Sequence, residues 1–319
     1  MKVIPPVKNI DKELAEKFLL EDNFELKFSL KQKIYYNFLR PVIPISLRQK
    51  IQHSYIEKIS YKENFINTDF VELVSEALKQ NNEQLYPDNF QSATILTHDV
   101  EEEAGFNFIP KVIELEKELG FKSSWNIVPY KYKIDESIIG LINNSGCEIG
   151  IHGYNHDGRL YYSQKIFNDR VPYINSAIEK YNAVGFRSPM VHRNLRWLQK
   201  LNIKYDASCF DYDPFQPFPG GTGSIWPFIV GNFVELPYTL PQDHTLFYVL
   251  DKKDITLWVN KINWIINQKG MILVLTHPDY LIDANHFQMY KELLLFLKEI
   301  KNSWYCLPKE MADWWIRRE

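Results

Sequence analysis

The chain is poor in cysteine. Cys147, Cys209 and Cys306 are the only three in 319 residues. They are odd in number, far apart and form no CxxC pair, which excludes a disulfide framework and a cysteine-based zinc site. Reduced, buried thiols in a cytoplasmic protein are the expectation. Excess positive charge is absent as well. The 37 Lys and Arg stand against 40 Asp and Glu, for a net charge of −3, so no nucleic-acid partner is expected. No apolar run approaches the roughly 18 uncharged residues of a membrane span. Met1 to Asp11 mixes prolines with lysines and lacks the apolar centre of a secretory signal. Repeats and low-complexity tracts are missing too.

Apolar residues are plentiful, at 45%, and 15% of the chain is aromatic. That composition can fill a large core and also line a sugar-binding groove. Two regions differ in character. Residues 1–90 read as an N-terminal helical extension without a chemical motif. Residues 91–319 alternate apolar strands with amphipathic helices. The polar stretch Gln80 to Gln84 and the turn Tyr86-Pro87-Asp88-Asn89 mark the join. Within the extension, Leu26 to Lys50 carries Lys27, Lys31, Lys33, Arg40, Arg48 and Lys50 with no acidic residue, interleaved with Phe28, Leu30, Ile34, Tyr35, Tyr36, Phe38 and Leu39. Such a segment either packs on the catalytic region or makes peripheral contact with the inner face of an anionic membrane.

The second region reads as seven or eight strand–helix units. The fold expected is α/β, a distorted (β/α) barrel of seven or eight strands. Its active site then lies at the carboxyl ends of the strands. The sequence bears on that rule directly. Ala93–Thr97 ends in His98-Asp99-Val100-Glu101. Glu148–Ile151 ends in His152-Gly153-Tyr154-Asn155-His156. The short strand near Val184 ends in Arg187-Ser188-Pro189. Lys204-Tyr205 runs into Asp206, with Asp211 and Asp213 close behind. Met271–Leu275 ends in Thr276-His277. Five strands delivering His, Asp, Glu or Arg at one end indicate a site.

Two histidines at HxxxH spacing with one carboxylate leave coordination positions open for water and substrate, as in catalytic zinc sites. Gly153 follows His152, so there is no HExxH, and a loop is expected rather than a zincin helix. Of Asp99 and Glu101, one carboxylate can hold the metal while the other takes a proton from water. Arg187 can brace the base, and His277 can protonate a leaving group. Two nitrogens and one oxygen favour zinc, and cobalt, nickel or iron fit the same ligands.

Taken in order, these motifs resemble the NodB-like polysaccharide deacetylases, carbohydrate esterase family four. The resemblance runs over residues 94 to 278. It implies Asp99 as catalytic base and Glu101, His152 and His156 as metal ligands. It further implies Arg187 as the brace of the base, a backbone N–H at Met190 for the oxyanion, Asp206, Asp211 and Asp213 in the substrate groove wall, and His277 as general acid. Val100 stands where the family usually has a second aspartate, and Met190 where it usually has an aromatic. The tract Glu235 to Asp243 resembles a bacterial surface-glycan subgroup. The implied function is metal-dependent removal of an N-acetyl group from a sugar or glycan, in surface polysaccharide or glycolipid synthesis. The alternatives are a non-catalytic glycan binder on the same scaffold and an amidohydrolase of a small non-sugar amide.

Overall fold

The computed structural model describes residues 1–21, 28–39, 42–44, 47, 65–81, 83–216, 218 and 220–318. Among the described residues ten strands form one sheet: β1 (Val3–Ile4), β2 (Ser92–Val100), β3 (Ser123–Ile127), β4 (Glu148–His152), β5 (Gly185–Arg187), β6 (Tyr205–Asp206), β7 (Phe228–Val230), β8 (Phe233–Glu235), β9 (Met271–Thr276) and β10 (Ser303–Tyr305). Their order is β1-β7-β8-β6-β5-β4-β3-β2, and β9 and β10 both pair with β2. β10 takes Ser92 to Thr94 of β2, β3 takes Leu96 to Val100 on the same side, and β9 occupies the other side. Eight strands run parallel, and β7 and β1 add an antiparallel flank. The eight parallel strands are those that alternating apolar runs predict. β1 and β7, two and three residues long, are the two strands the sequence reading does not include.

The sheet curls into an α/β half-barrel. Every residue of β2, β3, β4 and β9 is buried, because crossover helices cover one face and the barrel interior covers the other. The tract after β8 reaches across to β9. Thr239 N donates to Leu273 O at 3.2 Å, Leu273 N to Thr239 Oγ1 at 2.9 Å, and Thr239 Oγ1 to Met271 O at 2.9 Å.

Helix limits follow local chemistry. Asp135, Ser163 and Asp283 cap the helices Glu136–Asn144, Gln164–Lys180 and Ala284–Lys298 by accepting backbone N–H bonds. Gly120, at φ +87°, ends Glu103–Leu119. That helix sets Phe106, Ile109, Val112 and Ile113 against the sheet, each worth about 1.5–3 kcal/mol on burial. Residues before the join at 90 share this core. β1 pairs with β7, and Phe70, Val71 and Val74 of Asp69–Asn81 are buried in the same cluster. Of the basic segment, Lys27, Arg40, Arg48 and Lys50 lie outside the described residues. Among the described residues no helix is long and apolar enough to cross a membrane, and the three cysteines are free and buried.

Glu148 opens β4 beneath the barrel. Its carboxylate accepts the Tyr205 hydroxyl and, at 3.2 Å, Lys309 N–H. Burial pushes its carboxyl up to about 7 against those two bonds. The folded state therefore keeps a proton that the unfolded chain releases near pH 4.3. Glu148's contribution to stability is fully present below that pH and lost as pH rises through about 7, a change on the order of 3 kcal/mol. Urea unfolding between pH 5 and 8 should show this decline in the wild type, and Glu148→Gln should remove most of it.

Candidate active site

The parallel register assembles the site. Asp99 of β2 lies opposite Asn126 of β3, Asn126 opposite Gly150 of β4, and His152 opposite Arg187 of β5. Side chains from neighbouring strands thus converge at one height near the carboxyl ends. A Cβ on Gly150 would lie 2.0 Å from Asn126 Oδ1, so glycine leaves the room the Asn126 amide needs.

Asp99 is buried and braced. Its Oδ1 accepts Asn126 Nδ2 at 2.8 Å and Arg187 Nη1 at 3.0 Å, and its Oδ2 is 3.8 Å from His152 Nδ1. Burial works to raise its pKa. The charges of His152, Arg187 and His277 and the Asn126 bond outweigh it and hold the carboxyl below its ordinary range. Arg187 is fully buried and is itself fixed, donating to Ala207 O at 2.7 Å and Thr97 Oγ1 at 2.9 Å.

Glu101, just past β2, points at the histidine loop, with Oε1 2.9 Å from His156 Nε2. Burial raises its pKa, and the His156 charge and contact override that, so the carboxyl is held well below its ordinary value. Asp279 accepts N–H bonds from Glu101 and Gly105, both at 3.0 Å, and so anchors the turn that carries Glu101. His152 ends β4. His156 follows in a loop whose left-handed residues are Gly153 (φ +69°), His156 (φ +58°) and Gly158 (φ +78°), so the pair sits in a loop and not on a helix. The Arg170–Asp157 pair, with bonds of 2.8 and 2.6 Å, ties that loop to the next helix.

These residues fit a metal ion. One ligand atom each from Glu101, His152 and His156 lies within 4.8 Å of the other two, and this is the only such group among the described residues. His152 Nδ1 donates to Arg187 O at 3.1 Å, which leaves the Nε2 lone pair facing inward. His152 Nε2 is buried without a hydrogen bond, and His156 Nε2 faces Glu101 Oε1. Burial, with the neighbouring His156 and His277 charges, lowers the His152 pKa to about 4 despite the pull of Asp99 and Glu101. The ring is then neutral, as a ligand must be.

His277 faces the same cluster, its Nε2 3.8 Å from Glu101 Oε1. Asp243 grips it twice, at 2.6 Å through Nδ1 and at 2.6 Å through the backbone N–H. Burial disfavours the charged ring, but Asp243, then Glu101 and Asp99, outweigh it and raise its pKa to about 10. Met190 stands in the turn Pro189–Val191 at φ +57°, followed by Val191 at φ +45°, a costly conformation for a β-branched residue. The turn is held from two sides, one of them by Arg193 Nη1, which donates to Val191 O at 3.1 Å. Pro189 packs on Gly153, where a Cβ would lie 2.4 Å from the ring, and Arg193 forms a buried bidentate pair with Glu21.

Six predicted residues therefore meet in one cluster: Asp99, Glu101, His152, His156, Arg187 and His277. The three aspartates expected in the groove wall lie outside this cluster and are buried. Asp206 bonds Ser208 N and Oγ beside Glu235. Asp211 pairs with Lys261 at 2.7 Å. Asp213 holds Phe215 N and Gln216 Nε2. Their carboxylates are engaged by backbone and side-chain partners of the fold. Sequence reasoning missed Asn126, Asp243 and Asp279. A polar residue inside the apolar run Trp125-Asn126-Ile127 was a usable signal for the first. Asp243 closed a tract noted without a role.

No family sequence profile matches the chain. A curated peptidoglycan deacetylase of Helicobacter pylori is 20% identical, over 67% of this chain and 86% of its own length. Among solved structures, a protein of Mycobacterium smegmatis assigned to the polysaccharide deacetylases aligns with a TM-score of 0.60 at 17% identity, covering 73% of this chain and 93% of that one. An allantoinase aligns at 0.57 and 13% identity, over 81% of this chain and 98% of its own. The two structural likenesses establish the shared fold. That fold is the one seen in polysaccharide deacetylases, and the chain is similar over most of its length to a peptidoglycan deacetylase.

Proposed function

We propose that the protein is a metal-dependent N-deacetylase of a sugar or glycan, acting in the cytoplasm in surface polysaccharide or glycolipid synthesis. The observation that carries this reading is the Glu101–His152–His156 cluster flanked by the braced Asp99 and by His277. A divalent ion on those three ligands, zinc first, with cobalt, nickel or iron also fitting, supplies Lewis-acid polarisation of the acetyl oxygen and lowers the pKa of water.

The protein's own groups do the rest. Asp99, ionised and oriented by Arg187 and Asn126, takes a proton from the attacking water as its oxygen bonds to the acetyl carbon. The Met190 N–H, set by the Pro189–Val191 turn, donates to the developing oxyanion. The carbon–nitrogen bond breaks as His277, held protonated by Asp243, donates from Nε2 to the departing nitrogen. Acetate and a free amino sugar result, and the proton on Asp99 restores His277.

The test is metal analysis of purified protein together with acetate release from N-acetylated sugar nucleotides, glycolipids and oligomers. Stoichiometric metal and acetate release, both lost in His152→Ala, are expected. A metal-free protein, or unchanged turnover in that variant, would remove the reading. The shared fold of the allantoinase makes small cyclic amides the proper control substrates. Turnover of those alone would reassign the chain to non-sugar amides, and ligand affinity unchanged by Asp99→Asn without any turnover would mark a glycan binder.

A further inference from the structure

Six exposed large apolar side chains crowd one stretch: Leu30, Ile34, Phe38, Leu39, Val42 and Leu47, at 43% to 74% exposure. The other exposed large apolar residues among the described ones, such as Leu14, Ile282 and Leu295, are scattered along the chain. Single exposed apolar residues are ordinary, whereas a contiguous set marks a contact surface. The stretch is also of one sign. From residue 26 to residue 56 the sequence has Lys27, Lys31, Lys33, Arg40, Arg48 and Lys50 and no Asp or Glu. Apolar side chains mixed with cations, and no anions, complement an anionic lipid surface, where the rings enter the acyl boundary and the amines meet the headgroups.

The stretch begins beside the loop that carries His156. The Phe28 ring packs on Tyr162 at 4.7 Å, on His192 at 5.0 Å and on Phe218 at 5.3 Å between centroids. His192 lines a pocket with His156, Tyr154, Arg170 and Pro189. The chain therefore passes from the rim of a pocket that includes a candidate metal ligand straight into the apolar, basic stretch.

We propose that the described residues 28–39, 42–44 and 47 form a docking surface for an anionic membrane, and that the substrate is a glycan carried on a membrane lipid. The second half rests on the deacetylase reading above, and the first half does not. The protein would graze the bilayer with this stretch and meet the sugar head of a glycolipid on the side of the metal cluster where His156 lies.

Vesicle flotation of the full chain tests the surface without reference to activity. Wild type should float with phosphatidylcholine vesicles containing phosphatidylglycerol, should not float with phosphatidylcholine alone, and should detach as salt rises. A lysine near such a surface contributes about fivefold in partition, so Lys31→Gln with Lys33→Gln should lower binding about 25-fold. Leu30→Ser with Phe38→Ser should lower it too. Both double variants should deacetylate a soluble N-acetylglucosamine oligomer at the wild-type rate, but a vesicle-embedded N-acetylated glycolipid more slowly, in proportion to lost binding. Absence of flotation, equal binding to neutral vesicles, or a serine variant that abolishes a dimer in sedimentation while wild type ignores vesicles would overturn the docking surface. Flotation without turnover of either substrate would overturn the proposed activity and leave the surface standing. Flotation with equal glycolipid turnover in all variants would overturn the substrate assignment alone.

Discussion

Asp99→Asn is expected to lower kcat by about 10²- to 10⁴-fold, the usual contribution of a positioned general base, with KM and bound metal little changed. The asparagine side chain keeps the size of the carboxylate and loses the charge that receives the proton. Oδ1 of Asp99 is already taken by Asn126 and Arg187, and Asp99 stands outside the Glu101–His152–His156 group of ligand atoms. Oδ2 is the oxygen left for the water. The division of labour between the two carboxylates can be read from metal content. Glu101→Gln should release the metal, while Asp99→Asn should retain it. The opposite pattern would exchange the two roles.

Lys261→Met is expected to cost about 3–5 kcal/mol of stability, the usual consequence of leaving one member of a buried ion pair alone. Lys261 is fully buried on Thr256–Asn267, its Nζ 2.7 Å from Asp211 Oδ2. Burial pushes Asp211 up to about 6 even with Lys261 beside it, so without the amine the carboxylate has little to hold its charge. Urea denaturation of the single variant, and of the double variant Lys261→Met with Asp211→Asn, checks this. The double variant should recover much of the loss, because both charges are gone. A substrate contact at Asp211 predicts something else for Asp211→Asn, a raised KM at unchanged stability.

Much of the site could be read from the sequence, for a physical reason. In a parallel sheet each strand presents its polar end residue where the apolar run stops, so linear position reports spatial position. Asp99, His152, Arg187 and His277 all occupy such ends, and Glu101 follows within two residues. Asn126, Asp243 and Asp279 were not legible as partners because their roles depend on sideways relations. Asn126 reaches Asp99 through strand register. Asp243 lies 34 residues before His277 and meets it only because the tract after β8 crosses to β9. Asp206, Asp211 and Asp213 are buried on partners within the fold, and clustered aspartates in a linear string give no sign of that. Lys261, the partner of Asp211, lies 50 positions further on, inside an otherwise apolar helix face.

The way the N-terminal residues join the barrel constrains what can be removed from it. A shortened protein beginning at residue 91 would leave Phe228–Val230 as a bare outer strand, since β1 pairs with it. Exposed strand edges of this kind recruit other chains and promote aggregation. The same cut would take Glu21 away from Arg193 and strand a guanidinium in the core beneath the Met190 turn. Poor solubility of such a fragment would then report a missing edge partner and an uncompensated charge, not a catalytic domain incapable of folding.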